Sequence, residues 1–474
     1  MLLVYPNTMD IPVSPEYDLY ERLMFEFGKA KGLVGLAQGS LMPPVAMLSI
    51  AALLKENSIP TAFLDLTVEC YGGGDMEHIL RERLKKEDPK IVGINGMEAC
   101  LLSGAYRIAR IVKEYNRDIV TVTGGIEATA IFYEVLKNSD IDFVVMGEGE
   151  LTFLDLSKMI LSNQRSEFKQ IKGISFQEKR QIFRTEKREF MELEELPLPD
   201  REIYPLEKAY SINGGIDILY ASRGCPHDCA FCNAPPYWGR RWRKRDPEKV
   251  VDELRFIESS GGRIVHIYDL NFGTNKKWVT KIVEGIKREK LDIAWDCELR
   301  ISDFSKSYLK TLGDGNCKGV FCGIESAEQS VLDSVQKGYT ADVLMRSLKN
   351  AKEAGINVDA GLIFGLPEDT VDSMRALTNL TWKLLNEELV QTPAPFLFVP
   401  FKGTEIGDNP EKFGIEIVNN NYDEWHFFPP NPITSTKRAD ANLIYDEHIR
   451  CLNGINQILE SKLNDIKEAM PATL

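Results

Sequence analysis

Short apolar runs of strand length alternate with helix-period segments along most of the chain, in two separate series. Nothing else in the sequence restricts the fold as strongly. The first series is LLVYP (2–6), TAFLDL (61–66), KIVGIN (90–95), DIVTVTGG (118–125) and DFVVMGEGE (142–150). Between them lie VAMLSIAALLKEN (45–57), MEHILRERLKKE (76–87), LSGAYRIARIVKEY (102–115) and ATAIFYEVLKNS (128–139). Strands separated by amphipathic helices make βαβ units and a parallel sheet. Five such strands predict a doubly wound, Rossmann-like α/β domain over residues 1–165. Its ligand would sit beyond the strands' C-terminal ends. Gly93, Gly96, Gly124, Gly125, Gly147 and Gly149 gather there, where a missing side chain lets backbone turn sharply or approach a ligand.

GISFQEKRQIFRT (173–185) alternates like a hairpin, and MELEELPLPDREIYP (191–205) is proline-rich, so residues 166–208 are expected to be hairpin and linker. The second series then begins: IDILYAS (216–222), RIVHIYDL (263–270), IAWDCELR (293–300), KGVFCGIES (318–326), INVDAGLIFG (356–365) and APFLFVPF (394–401). Six βα repeats are too few for a closed eight-stranded barrel. They predict a partial (βα)6 barrel over residues 209–402, with its chemistry at the strands' C-terminal mouth. Residues 403–474 carry WHFFPPNP (425–432) and a final helix, and are expected to cap the substrate cavity.

A length of 474 residues is more than one core normally supports and suits two or three domains. The net charge of −14 argues against a nucleic-acid-coating surface and against an anionic membrane surface. No apolar run of about 18 residues would span a membrane. The nine cysteines are odd in number and irregular in spacing, which suits a reducing, cytoplasmic setting rather than a disulfide framework.

Three of those cysteines are clustered. YASRGCPHDCAFCNAP (220–235) places Cys225, Cys229 and Cys232 at C-x3-C-x2-C, directly after the first barrel strand. Soft thiolates this close favour zinc or iron–sulfur. Zinc would call for a fourth Cys or His, and His227 lies too close to its neighbours to serve. Three thiols leave one iron of a four-iron cluster open, and an open coordination site is what a catalytic centre needs. The plain alternative is three structural thiols near a turn.

The cluster, with the aromatic Phe231 just before its last cysteine, resembles the signature of the radical S-adenosylmethionine (SAM) family. The resemblance continues in YDLNF (268–272), GIES (323–326), QKGYT (336–340) and GLPEDT (365–370), although GLPEDT departs from the commoner G-x-P-G-E-T. It implies that Cys225, Cys229 and Cys232 hold a 4Fe–4S cluster whose open iron chelates SAM. Asp269, in the motif whose end helps hold the SAM amino group, would be a site residue, and Glu325 with Ser326 would lie at the ribose. Arg300, at the end of the third barrel strand, is a candidate to pair with the SAM or the substrate carboxylate. PPVAMLSIAALLKEN (43–57), FLDLTVE (63–69), TVTGGIEAT (121–129) and VVMGEGE (144–150) place the chain in the branch with a cobalamin-binding domain ahead of the barrel. That makes Gly93, Asn95, Gly124, Gly125, Gly147, Glu148 and Gly149 cobalamin-side candidates. The chain lacks D-x-H-x-x-G, the motif that puts a histidine on cobalt, so a lower face without a His ligand is expected.

The resemblance implies a radical SAM methyltransferase of the class B kind. It would move a methyl group from SAM, by way of cobalamin, to an unactivated carbon of a small molecule or protein side chain. Electrons would come from a donor such as flavodoxin or ferredoxin. The alternatives are a cobalamin-dependent cyclase or oxidase without methyl transfer and, outside the enzymes, an iron–sulfur and cobalamin redox-sensing binding protein. RRWRKR (240–245) is expected to be a solvated basic turn before a helix capped at Asp246, His266 a core residue, and Cys297, Cys317 and Cys322 packing residues.

Overall fold

The computed structural model describes residues 1–31, 41–97 and 99–469. These fall into two compact units, one of Met1–Ile11 and the described residues from 41 to 212, the other of the described residues of 12–31 and from Asn213 onward.

The first unit is built on a seven-stranded sheet: β1 (Leu2–Tyr5), β2 (Ala62–Asp65), β3 (Ile91–Asn95), β4 (Val120–Gly124), β5 (Phe143–Val145), β6 (Ile174–Glu178) and β7 (Gln181–Arg184), in the order β2-β1-β3-β4-β5-β6-β7. The first five are parallel. Their runs are apolar without alternation because helices cover both faces, so β3 and β4 are each buried at four successive positions. The strand order reverses between β1 and β3, the topological switch point beyond which such sheets bind ligands. Side chains fix where the crossover helices begin: Asp65 Oδ1 accepts from the Thr67 and Val68 amides at 2.9 and 3.1 Å, and Asp75 caps Met76–Glu87 in the same way.

The hairpin expected between the domains is part of this sheet. β6 pairs antiparallel with β5, and β7 with β6. Ile174 and Phe176 are buried in the same core as Phe143 and Val145, and the proline-rich stretch returns Tyr204 to Asp65, its hydroxyl donating to Oδ2 at 2.7 Å. Apolar burial therefore extends this unit beyond residue 165.

The second unit holds six parallel strands, β8 (Ile216–Leu219), β11 (Ile264–Ile267), β12 (Ala294–Glu298), β13 (Cys317–Glu325), β14 (Asn357–Phe364) and β15 (Thr392–Leu397), in the order β15-β14-β13-β12-β11-β8. This is the expected partial (βα)6 barrel. Two short pairs accompany it, β9 (Ser222–Arg223) with β10 (Arg243–Lys244) and β16 (Ile415–Ile417) with β17 (Thr434–Thr436). The barrel strands alternate: Val265, Ile267, Trp295, Cys297, Val320, Cys322, Val358 and Ala360 all join the apolar core that the helices cover. Cys297, Cys317 and Cys322 are packing residues here, as expected.

Three features depart from expectation. The N-terminal helix Pro15–Lys31 belongs with the barrel: Tyr20, Met24 and Phe27 enter its core, and Tyr20 Oη donates to the Pro393 carbonyl at 2.9 Å. The final helix, Ala441–Ala469, also packs into that core through Ile444, Leu452, Ile455 and Leu459. The basic stretch RRWRKR is not solvated throughout: Arg243 and Arg245 are buried, and Arg245 pairs with Glu253 at 2.5 Å. Asp246 does cap the next helix, accepting from the Glu248 amide at 2.8 Å.

Candidate active site

β8 runs directly into the three-cysteine loop, whose entry is tied down. Asp269, just past β11, is buried and accepts from the Ala221 and Ser222 amides at 2.8 and 3.0 Å and from Ser222 Oγ at 2.5 Å. Burial pushes its carboxyl up to about 7 against the pull of these donors. Trp242 Nε1 donates to the same Ser222 Oγ at 2.9 Å. Gly224 has φ +87°, and a Cβ there would lie 2.2 Å from the Arg241 carbonyl oxygen, so only glycine lets β9 and β10 cross this closely. Asp269, expected on the SAM side, is here a residue that positions the loop.

Within the loop Cys229 is buried, and Cys225 and Cys232 are half-buried. The Cys232 amide donates to the Cys229 carbonyl at 3.0 Å, and the Ala234 amide to Cys232 Sγ at 3.4 Å. Burial pushes the Cys232 thiol up to about 12 and raises Cys225, and the neighbouring sulfurs push both the same way. Iron must displace these protons to bind. Among the described residues no group of three or more His, Cys, Asp or Glu side chains stands ready around one point as a metal would require. The sulfurs are thus close enough to perturb one another without being gathered. Their fit to a cluster rests on the donor set, three soft thiols on one short loop.

Charged groups from the neighbouring strand ends meet the loop. Arg300, after β12, points Nη1 at Cys229 Sγ, 3.8 Å away, and donates through Nη2 to the Lys337 carbonyl. Lys337 is buried; its Nζ donates to Glu325 Oε1 at 2.6 Å and lies 5.7 Å from the centre of the Phe231 ring. Burial alone would lower the Lys337 ammonium, but the Glu325 and Cys229 charges beside it leave its pKa above the ordinary lysine value. Glu325 closes β13 with φ +61°, at a break in the register between Gly323 and Glu325. A left-handed conformation costs a non-glycine residue about 1–2 kcal/mol. Here it turns the carboxylate back over Gly323, whose Cβ would lie 1.9 Å from Glu325 Oε1. Ser326 is buried and accepts from the Glu328 amide at 3.2 Å, and Tyr339 donates to the Ile324 carbonyl. Cys229, Arg300, Lys337 and Glu325 thus form one connected line. Lys337, in QKGYT between the helices Gln329–Ser334 and Val343–Glu353, is a site residue with no mark in the sequence; only the fold brings it to Glu325.

In the first unit the candidates divide. Asn95 Oδ1 accepts from the Met97 amide at 2.9 Å and closes the turn after β3. Gly125 has φ +128°, and a Cβ would fall 2.4 Å from Met97 Cα. Gly124 lies against the Val145 carbonyl, 3.1 Å from its would-be Cβ. Gly147 has φ +72°, donates its amide to Thr129 Oγ1 at 3.0 Å, and would point a Cβ into open space. Glu148 beside it is half-buried. Two candidates have structural explanations instead. Gly93 lies inside the sheet, where a Cβ would meet Phe153 Cζ at 2.8 Å and Leu3 Cδ2 at 2.9 Å. Gly149 opens the helix Glu150–Leu161 with only ordinary contacts, the nearest at 3.5 Å.

Comparison with known proteins assigns a family to each of the two series of strands. Residues 219–381 match the model of the radical SAM superfamily, and residues 33–157 that of the B12-binding domain. An uncharacterized methyltransferase of Pyrococcus horikoshii is 31% identical over 371 residues, 78% of each chain. An anaerobic magnesium-protoporphyrin IX monomethyl ester cyclase of Rubrivivax gelatinosus is 30% identical over 402 residues, 80% of this chain and 68% of the relative. Among solved structures, a radical SAM methyltransferase from Kitasatospora setae with cobalamin and an iron–sulfur cluster bound shares the fold at a TM-score of 0.70. It is 17% identical, and the match covers 96% of this chain and 88% of that one.

Proposed function

Because this chain belongs to the radical SAM superfamily and joins a B12-binding domain to its barrel, we propose that it is a methyltransferase acting on an unactivated carbon. Its cofactors are a 4Fe–4S cluster, SAM and cobalamin. When bound, these supply one-electron chemistry able to open an inert C–H bond, and a methyl group to place there. Electrons come from an external donor.

The chain's own part is holding and orienting. Cys225, Cys229 and Cys232 would hold the cluster, on a loop whose entry Asp269 fixes. Arg300 would keep a positive charge beside the sulfur of Cys229 and brace the Lys337 backbone. Glu325 has Oε1 taken by Lys337, which leaves Oε2 to accept from a ribose hydroxyl of SAM. Phe231 packs on a small apolar cluster with Val331, Val335 and Ile406 that anchors the loop's far side. In the first unit, the turns at Asn95, Gly125 and Gly147 would shape the cobalamin side. The observation that carries the proposal is the continuous line from the thiol loop through Arg300 and Lys337 to Glu325.

A second reading follows from the cyclase relative, which is nearly as similar as the methyltransferase. One experiment separates them. Anaerobically reconstituted, reduced protein is given methyl-deuterated SAM and a metabolite extract of its source cells. A methyltransferase yields a product carrying the deuterated methyl group. A product changed in mass without the label identifies a cyclase or oxidase, and absence of 5′-deoxyadenosine formation removes both.

A further inference from the structure

Four ionisable side chains in the barrel are not used by the site above. His266 on β11, Asp296 and Glu298 on β12, and Asp359 on β14 alternate with Val265, Ile267, Trp295, Cys297, Val358 and Ala360, which face the helices. With a period of two, the four must face the other way, into the barrel. The register stacks them. His266 lies level with Asp296; two residues further toward the mouth, Glu298, Phe321, Asp359 and Thr392 form the next layer. His266 Nδ1 is hydrogen-bonded to the Asp296 carboxylate. Its Nε2 is buried without a hydrogen-bond partner among the described residues, and the nearest Glu298 oxygen is 4.0 Å away. His266 was expected in the core; it is buried, but at the bottom of a polar well.

The walls of that well are aromatic. Tyr268 stands on His266, ring centres 5.0 Å apart, meets Tyr220 edge-on at 6.0 Å, and is 42% exposed, so this aromatic wall reaches from buried His266 to solvent. Above the acidic layer come Gly323, Gly361 and Ala394 in register. A Cβ on Gly361 would meet Phe321 at 3.1 Å and Phe396 at 3.2 Å. Small residues at this level let the Phe321 and Phe396 rings lie against Gly361 and the Glu325 carboxylate and Lys337 ammonium lie over Gly323, so the acidic layer is next to the Glu325–Lys337 pair. One layer of two residues spans about 7 Å.

Three carboxylates face one imidazole, so the well is in negative surplus even with His266 protonated. Glu298 is pushed up to about 7 by burial, with Asp269 and Asp296 raising it further and His266 and Lys337 opposing. Asp359 is likewise pushed up to about 7 by burial, with Thr392 and His266 opposing and Asp296 adding. Groups in this state gain most from a cation that restores their counter-charge. Aromatic faces beside them favour an organic cation.

We infer that this well is a recognition site for a protonated amine on the substrate, with Glu298 and Asp359 accepting from the ammonium group and Tyr268 and Phe321 flanking the carbon chain that leads up to the SAM side. The inference rests on the methyltransferase reading only in identifying the ligand as substrate. It places this protein's substrates among amines, including amino acids and lysine-like side chains, and sets apart purely anionic ones.

The test is calorimetric titration of the anaerobically reconstituted holoenzyme with phenethylammonium, phenethyl alcohol and phenylpropionate, probes of one shape and three charges. The ammonium should bind at least tenfold tighter than the alcohol, and phenylpropionate weakest. In a Glu298→Gln, Asp359→Asn double variant the ammonium should fall to the level of the alcohol. Equal binding of ammonium and alcohol to the wild type, no ammonium binding, preference for the acid, or ammonium binding that survives the double variant would each overturn the inference. So would displacement of the ammonium by millimolar magnesium alone, which would make the well a metal site. The wild-type comparison stands even if the double variant does not fold. Reductive SAM cleavage on the same preparation keeps the two claims apart: if it is absent the function reading fails, and if it is present without amine preference only this inference fails.

Discussion

Gly125 and Glu325 both sit where a parallel strand has ended, and both have positive φ, +128° and +61°, for unrelated reasons. At Gly125 the neighbouring turn leaves no room: Met97 occupies the space a side chain would take. At Glu325 a full side chain is accommodated at some backbone cost, and the turn aims a buried carboxylate at Lys337. The first unit's strand ends are shaped by the fit of backbone on backbone, the barrel's mouth by where charged side chains must point. A glycine cluster in a sequence therefore reports local geometry first and ligand contact second. A cysteine or acid at a strand end reports chemistry more directly.

The largest effect that could break this contrast is at the thiols. Cys225→Ala, Cys229→Ala and Cys232→Ala together should abolish both iron content and reductive SAM cleavage after reconstitution. A triple variant that keeps its iron–sulfur absorbance would remove the barrel mouth from the comparison altogether. Next is Lys337→Met, which leaves the buried Glu325 carboxylate without its partner and should destabilise by about 3–5 kcal/mol in denaturant unfolding. If stability is unchanged, the pair is not as buried as its side chains' 11% and 7% exposure indicates. Glu325→Gln is gentler: it keeps the size, loses a charge-assisted bond, and should weaken SAM binding roughly tenfold with iron content unchanged.

pH sharpens the contrast, because one buried group in each unit responds with opposite sign. Asp65 is raised from 3.8 to about 6 by burial, so its contribution is present below the unfolded value and lost as pH rises through the folded one. His448, buried with Nε2 on the Pro395 carbonyl at 2.8 Å, is lowered from 6.5 to about 4 by burial. Its contribution is present above 6.5 and lost as pH falls toward 4. Relative to wild type, Asp65→Asn should therefore gain stability as pH rises over its window and His448→Gln as pH falls over its own, each by on the order of 3 kcal/mol. Parallel slopes for the two variants would show that one of the assignments has the wrong sign.

Much of this was legible in the sequence because the period of two and the helical spacing are strong over short runs. All eleven expected parallel strands of the two series are present in sequence order, β1 to β5 and the six of the barrel. What the sequence concealed was long-range. Nothing local says that the helix Pro15–Lys31 joins the barrel, since its apolar face suits either core, or that β6 continues the first sheet, since a hairpin has no marker for its neighbour. The thiols, Arg300 and Glu325 were readable because their spacing or position is unusual. Lys337 was not, since a lysine in QKGYT looks like any surface lysine until the fold brings it to Glu325. His266 is buried, as expected; its polar neighbours were legible too, since VHIY and WDCE alternate polar with apolar residues, and that alternation marks an inner face as clearly as it marks a strand.

The smallest predicted effect is at Gly147, and it is read against a larger one at Gly125 in the same unit. Gly125→Ala meets both a forbidden backbone region and the Met97 backbone at 2.4 Å, so it should cost about 2–4 kcal/mol and lose cobalamin only as a consequence of lost stability. Gly147 differs. Its φ of +72° is mildly unfavourable for alanine, but its Cβ would enter open space, so Gly147→Ala should cost about 1 kcal/mol. If the turn after β5 only closes the sheet edge, cobalamin affinity should be unchanged apart from that small loss. If backbone there must lie against the corrin, the added methyl group occupies the ligand's space, and affinity should drop further than stability does. Equilibrium dialysis of cobalamin beside denaturant melts of the same two variants reads the difference. A Gly147→Ala protein that binds cobalamin at wild-type affinity would make the first unit's strand ends structural at both positions, and leave the cobalamin contact to residues other than these glycines.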